Sequence, residues 1–478
     1  MTKLFSKSSL AALLSLALYI VVYFVQKEFL VLPGVNELSF ERMMILSYAI
    51  ITAIIFGLYF WLFKTGIELA LKDSFTEKVL WLVPLLICIF AIFCRPVFSD
   101  DLWSYISSGF FSDLPGDNTY LHMAADIAKF PIASEFAQLG AVPVTSVTPY
   151  GPIWSLFEWF AFHISPNVGV AAIVLKLGVC AAIFGCTWLI SKIAKILDPS
   201  RYKWLALAFL WNPLILVEIA FEGHNDIWMI FFILVALYFA SRNKLMRSLF
   251  ALWIGVLCKF LPLIYFPAFA VFTLRNSKPN PAFFKKLLFL VALCAFTTIV
   301  LYLPFWSAGI HCFDGVLGMR EKSQVTLSYW IERSLGYVMK APYPARISTV
   351  IVDIGFVLLV LWISMKVKTF KDLARAYLGI STSYLFINSK RFWPWYPDMP
   401  LSAAALLDGP WSLFFFIILP LFSRYGAPVS VLRNAGWITM KQGGYYFMAI
   451  QVVIPILILC AIAFKRFLSS RMQESTKP

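Results

Sequence analysis

Apolar runs of about 20 residues, each long enough to cross a hydrocarbon core, recur from Leu10 almost to the C-terminus of this chain. No soluble core absorbs so many. Of 478 residues, 61% are hydrophobic and only 14% charged, whereas soluble domains carry roughly 25% charged residues. The bilayer is therefore the solvent for most side chains. The fold class this predicts is all-α: one polytopic transmembrane domain over residues 1–478, with about 11–13 membrane helices and re-entrant or interfacial helices in its outer loops.

The expected spans lie near 10–30, 43–63, 79–98, 168–190, 204–221 and 227–240. A broken pair covers 249–274, and further spans lie near 287–306, 349–365, 374–388, 399–407, 413–422 and 446–464. The net charge of +15 does not point to nucleic acid, because Lys and Arg fall in short clusters between the apolar runs: Lys192, Lys195, Arg201 and Lys203; Arg242, Lys244 and Arg247; Lys366, Lys368 and Lys371. Such clusters mark cytoplasmic loops. With Lys3 and Lys7 inside, three crossings put 99–149 outside, and the same alternation makes 307–346 a second extracytoplasmic loop and leaves both termini cytoplasmic. The aromatic stretch 152–164 is too short to cross and reads as re-entrant or interfacial. The eight cysteines form no CxxC pair and read as small apolar residues.

Polar residues gather at the outer ends of these spans. Ser99-Asp100-Asp101-Leu102-Trp103-Ser104-Tyr105 opens the first outer loop. Two adjacent carboxylates at a membrane face suit a general base for an acceptor hydroxyl, while Ser99 or Asp100 also suits a helix cap. Glu222-Gly223-His224-Asn225-Asp226 forms a short outer turn suited to sugar hydroxyls, a phosphate or a cation, with capping of the following helix as the plainer role for Asn225 and Asp226. Lys259 interrupts the broken segment, where a cation needs a partner; a donor phosphate supplies one, and snorkelling to the interface is the bland alternative. Lys390-Arg391-Phe392-Trp393-Pro394-Trp395-Tyr396 offers two cations for a phosphate and rings to stack on sugar, although Trp393 by default belongs to an interfacial aromatic belt.

These segments together resemble the GT-C superfamily of multi-spanning glycosyltransferases, and within it the prokaryotic polyprenyl-phosphate-mannose-dependent mannosyltransferases. The likeness rests on the acidic opening of the loop, on Asn118-Thr119-Tyr120, on Thr148-Pro149-Tyr150-Gly151-Pro152, on Gly223-His224-Asn225-Asp226 and on Pro394-Trp395-Tyr396, in that order from about residue 79 to 407. The resemblance implies an inverting transfer of a mannosyl-type sugar from a polyprenyl-phosphate donor to a lipid or glycan acceptor. Asp100 or Asp101 would be the base, and the substrate-binding residues would be Tyr105, Tyr150, Glu222, His224, Asn225, Asp226, Lys259, Lys390, Arg391, Trp395 and Tyr396. Where relatives carry a Trp-Asp-Gly-Arg-like stretch, this chain has Ile106-Ser107-Ser108-Gly109-Phe110.

Four dispersed His do not suggest a protein-built metal centre; a divalent cation is compatible with a phosphate donor, and no cofactor is firmly expected. The expected partners are the lipid-linked donor, the acceptor and membrane lipids, with no nucleic acid. The expected site is the plasma (inner) membrane for a prokaryotic source, with the active site facing outward. A transporter or flippase of a lipid-linked glycan is the reading from another class; it predicts polar residues through the bilayer midplane, whereas here they cluster at span ends on one face.

Overall fold

The structure, a computed structural model, describes residues 50–66, 73–96, 98–141, 143–277, 280–321, 327–340, 342–389, 391–407, 409, 411–426 and 439–475, together with Leu14 and Ala17. Among the described residues every named element is helical, and the only strand-like contact is an isolated antiparallel bridge between Met123 and Val147. Five helices are long and apolar enough to cross a membrane: Ser74–Ile92, Val168–Leu197, Pro281–Gly318, Tyr343–Met365 and Tyr445–Phe464. The chain is an all-α, polytopic integral membrane protein. The expected first span, 10–30, falls almost wholly outside the described residues, as do Lys3, Lys7 and Lys390.

The helices that build the site, numbered from Ser74, are α1 (Ser74–Ile92), α2 (Asp101–Asp113), α3 (Pro152–His163), α4 (Val168–Leu197), α5 (Tyr202–Leu210), α6 (Asp226–Ser241), α7 (Leu245–Cys258), α8 (Phe266–Asn276), α9 (Pro281–Tyr302), α10 (Tyr343–Met365), α11 (Phe370–Ser383), α12 (Asp398–Ala404) and α13 (Leu419–Arg424). Their starts are written in the sequence. Asp73, Asn167 and Asn280 each accept a backbone N–H in the first turn of α1, α4 and α9, and Thr369 and Asp372 form a reciprocal capping box at α11.

α4, α5 and α6 form the centre, with Leu175, Leu207 and Leu234 fully buried. α9 and α10 lie at the outside and expose apolar side chains such as Leu288, Phe289, Leu358 and Trp362, as lipid-facing surfaces do. The stretch 204–221, expected as one straight span, is bent by 49° between α5 and the wide turn Leu214–Phe221. Pro213 has no N–H to give and Asn212 turns its side chain on the break, accepting from the Leu214 N–H at 3.0 Å and donating to the Phe416 carbonyl at 2.9 Å.

The segment expected to be broken is broken: α7 ends at Cys258, Lys259 is extended (φ −149°, ψ 131°), and a short 3₁₀ turn leads into α8. The departure at Ile106–Phe110 has a packing reason. Ile106, Ser107, Ser108 and Gly109 are buried where α2 lies against α3, and a Cβ on Gly109 would come within 2.4 Å of the Glu158 carbonyl oxygen. No side chain fits at Gly109, while Ser108 borders the cavity of the candidate site.

Candidate active site

The turn Gly223–Asp226 and the opening of α2 meet because Gly223 reverses the chain at φ +81°, a conformation cheap only for glycine. Glu222, buried just before it, accepts the backbone N–H groups of Phe98 and Ser99 at 2.9 and 3.0 Å. That ties the turn to the residues that introduce Asp100 and Asp101. Ser99 Oγ accepts the Asp101 N–H at 3.2 Å, while Asp100 occupies the cap position without a side-chain capping bond. Partial burial and the adjacent Asp101 charge raise the Asp100 carboxyl from its ordinary value.

The third motif, Thr148–Pro152, is a clamp. The Gly151 N–H donates to the Cys258 carbonyl at 3.0 Å, next to Lys259, and a Cβ at Gly151 would sit 2.2 Å from the Leu257 carbonyl oxygen. Pro152 then starts α3 where no N–H is needed. Gly151→Ala should therefore separate the loop from α7: in detergent we expect the melting temperature to fall by several degrees and transfer to drop, in line with about 1–3 kcal/mol for overpacking, with thermal unfolding and activity assays as the check. Asn118 and Tyr120 serve the same framework. Asn118 donates to Ser307 Oγ at 2.7 Å, in the 3₁₀ helix Leu303–Phe313, and the Tyr120 hydroxyl donates to the Tyr150 carbonyl at 3.1 Å.

These clamps enclose a cavity of about 620 Å³. Of the site residues expected from the sequence, Asp101, Tyr105, Tyr150, Asp226, Lys259, Arg391, Trp395 and Tyr396 line it. Glu222, His224 and Asn225 are buried and do not line it, Asp100 is exposed and does not line it either, and Lys390 lies outside the described residues. Lys259 Nζ is 2.7 Å from Asp226 Oδ1 and lies over the rings of Tyr150 and Tyr396, 5.4 and 6.0 Å from their centroids. A protein carboxylate is thus already its partner. Tyr105 and Tyr150 bring their hydroxyls to 3.3 Å, and burial holds both phenols well above their ordinary values, as neutral hydrogen-bonding groups.

One wall is apolar. Phe356, Val357, Val360 and Leu361 form a stripe down the membrane helix α10, facing Leu263 and Ile264. Trp393, expected in the interfacial belt, instead lines the cavity and stacks on Trp395 with 5.2 Å between centroids. The reason is Pro394, whose carbonyl accepts the Ser423 hydroxyl at 2.7 Å and so pins the loop over α13. Among the described residues no three His, Cys, Asp or Glu side chains converge as metal ligands.

The cavity thus joins a wall of polar and aromatic motif residues to an apolar wall supplied by a helix long enough to cross a membrane. Residues 9–275, more than half of the chain, match the family model described as alpha-(1->6)-mannopyranosyltransferase, N-terminal domain. The chain belongs to this family. It is a GT-C-type α-mannosyltransferase, an integral membrane glycosyltransferase that takes a sugar donor and a glycan or lipid acceptor. No curated protein matches the chain.

Sequence reading missed Asp353, which lines the cavity and accepts from Asn388 Nδ2 at 2.8 Å, and it missed a buried ion pair that does not line the cavity. Glu218, 2% exposed, pairs with Arg424, 3% exposed. Glu218 had a signal, a lone carboxylate inside the apolar run Leu214–Phe221, where an intramembrane charge announces a partner. Arg424 had none, since a cation at the end of an apolar run reads as an ordinary flank.

Proposed function

We propose that this mannosyltransferase transfers mannose from a polyprenyl-phosphate donor, with inversion, at the extracytoplasmic ends of its helices, and that Asp101 is the base. The observation that carries the reading is the two-sided cavity. The apolar stripe on α10 suits an isoprenoid chain, and Lys259 and Arg391, which line the same cavity, suit its phosphate. Trp393, Trp395 and Tyr396 offer ring faces to the sugar. Asp101 lines the cavity and Asp100 does not, which favours Asp101 as the group that meets the acceptor.

In the step itself, the acceptor hydroxyl oxygen attacks the anomeric carbon from the face opposite the phosphate, and its proton passes to Asp101. The bond from that carbon to the phosphate oxygen breaks, and polyprenyl phosphate departs with the electron pair. Lys259 and Arg391 meet the charge that develops on the leaving group. A β-linked donor gives the α-linked product. Residues 99–149 and 307–346 form the outer loops in this reading, within one membrane domain over the whole chain.

The test is transfer of labelled mannose by purified protein from synthetic mannosyl phosphates of increasing prenyl length. Rising kcat/KM with chain length, together with an α-linked product, supports the reading. Equal use of soluble mannosyl phosphate or a nucleotide sugar overturns the donor assignment.

A further inference from the structure

Behind Asp101, a file of ionisable side chains runs away from the cavity into the protein. His224 Nδ1 lies 3.3 Å from Asp101 Oδ2, His224 Nε2 lies 3.9 Å from Glu218 Oε2, and Glu218 is paired with Arg424. The His224 ring is fully buried, does not line the cavity, and is stacked on Trp395 with 3.6 Å between centroids and 21° between planes. It therefore does not reach a substrate. Yet neither ring nitrogen has an aligned hydrogen-bond partner, which is costly for a buried polar group. Catalytic hydrogen bonds are often loose in a free enzyme and tighten when substrate binds.

Charge explains what a ring is needed for. Asp101 and Asp226 line the cavity together, Asp100 adjoins them, and Lys259 is committed to Asp226. Such crowding favours protonation of one carboxylate, which would silence a base. We propose that His224 is a positioning residue that carries both ring protons, donates from Nδ1 to Asp101 and from Nε2 toward Glu218, and so keeps Asp101 ionised and turned toward the acceptor. The inference rests on the reading of Asp101 as the base. The signs along Asp101, His224, Glu218 and Arg424 alternate and leave no net charge in the file. Stacking on Trp395 suits a cationic ring. The other charged groups around His224 are Glu222, two residues before it, and Lys176, whose side chain lies beside Gly223; their opposite signs leave the balance unchanged.

The experiment compares wild type with His224→Ala, His224→Asn and Asp101→Asn, measuring kcat, donor KM and the pH profile of transfer from polyprenyl-phosphate-mannose, with thermal melts as the folding control. Loss of the cation behind the base should lower kcat in His224→Ala by about 10–100-fold with donor KM within about threefold, and move the acid limb of the profile upward by about one pH unit. His224→Asn, which restores a donor near the Nδ1 position without the charge, should recover part of kcat while the acid limb stays displaced. Wild-type kcat and profile in His224→Ala beside an inactive Asp101→Asn overturn the proposal and leave the base assignment standing. A fall in kcat with an unmoved acid limb in both His224 variants assigns the ring to packing and likewise overturns it. Full activity in Asp101→Asn removes the base reading and this proposal together.

Discussion

Asp101→Asn should reduce transfer by about 10²–10⁴-fold, the range a general base contributes, while donor binding stays close to wild type. The substitution is nearly isosteric, so the loss would report the missing proton acceptor and not a cavity. Asp100→Asn should cost less than about tenfold, because Asp100 does not line the cavity and its carboxyl is raised by burial and by the adjacent Asp101. Rates for both variants with saturating acceptor decide the matter. The reverse order would transfer the base role to Asp100 and detach it from the cavity as drawn.

The second large effect is expected at Lys259. Lys259→Met removes the cation that neutralises Asp226, which is only 2% exposed, and faces any donor phosphate with the carboxylates of Asp101 and Asp226. Breaking a buried pair from one side costs about 3–5 kcal/mol, and losing a donor to a developing oxyanion costs about 10²–10³ in rate. The two contributions separate in the double variant Lys259→Met/Asp226→Asn. Stability should return in large part, since neither member of the pair is left facing a missing partner, while kcat/KM should remain low. Recovery of both in the neutral pair would make Lys259 a structural cation only.

Much of this candidate site was legible in the chain because polar residues between apolar runs are conspicuous. Asp100-Asp101, Glu222–Asp226, Lys259 and Arg391–Tyr396 stand out against an apolar background that has no use for them, and eight of the expected residues line one cavity. Motif order carried further information that the structure explains in part as framework. Gly151 and Asn118 hold loops against α7 and against Ser307 and do not line the cavity. The Gly223 turn is anchored through Glu222 to the backbone at residues 98 and 99.

The sequence by itself determined the solvent, the helical class, the break at Lys259 and the set of polar segments that converge, because each follows from local polarity, chain length and backbone chemistry. Only the tertiary structure decided orientation and pairing. Asp100 and Asp101 are adjacent, and which of them lines the cavity depends on how α2 packs against α3. Glu218 and Arg424 are 206 residues apart, Lys259 finds Asp226 rather than waiting for a phosphate, and Trp393 turns inward because Pro394 is held by Ser423. A bilayer rewards any satisfied arrangement of buried charges. Which arrangement forms is fixed by the packing of helices far apart in the chain, and local pattern carries no record of it.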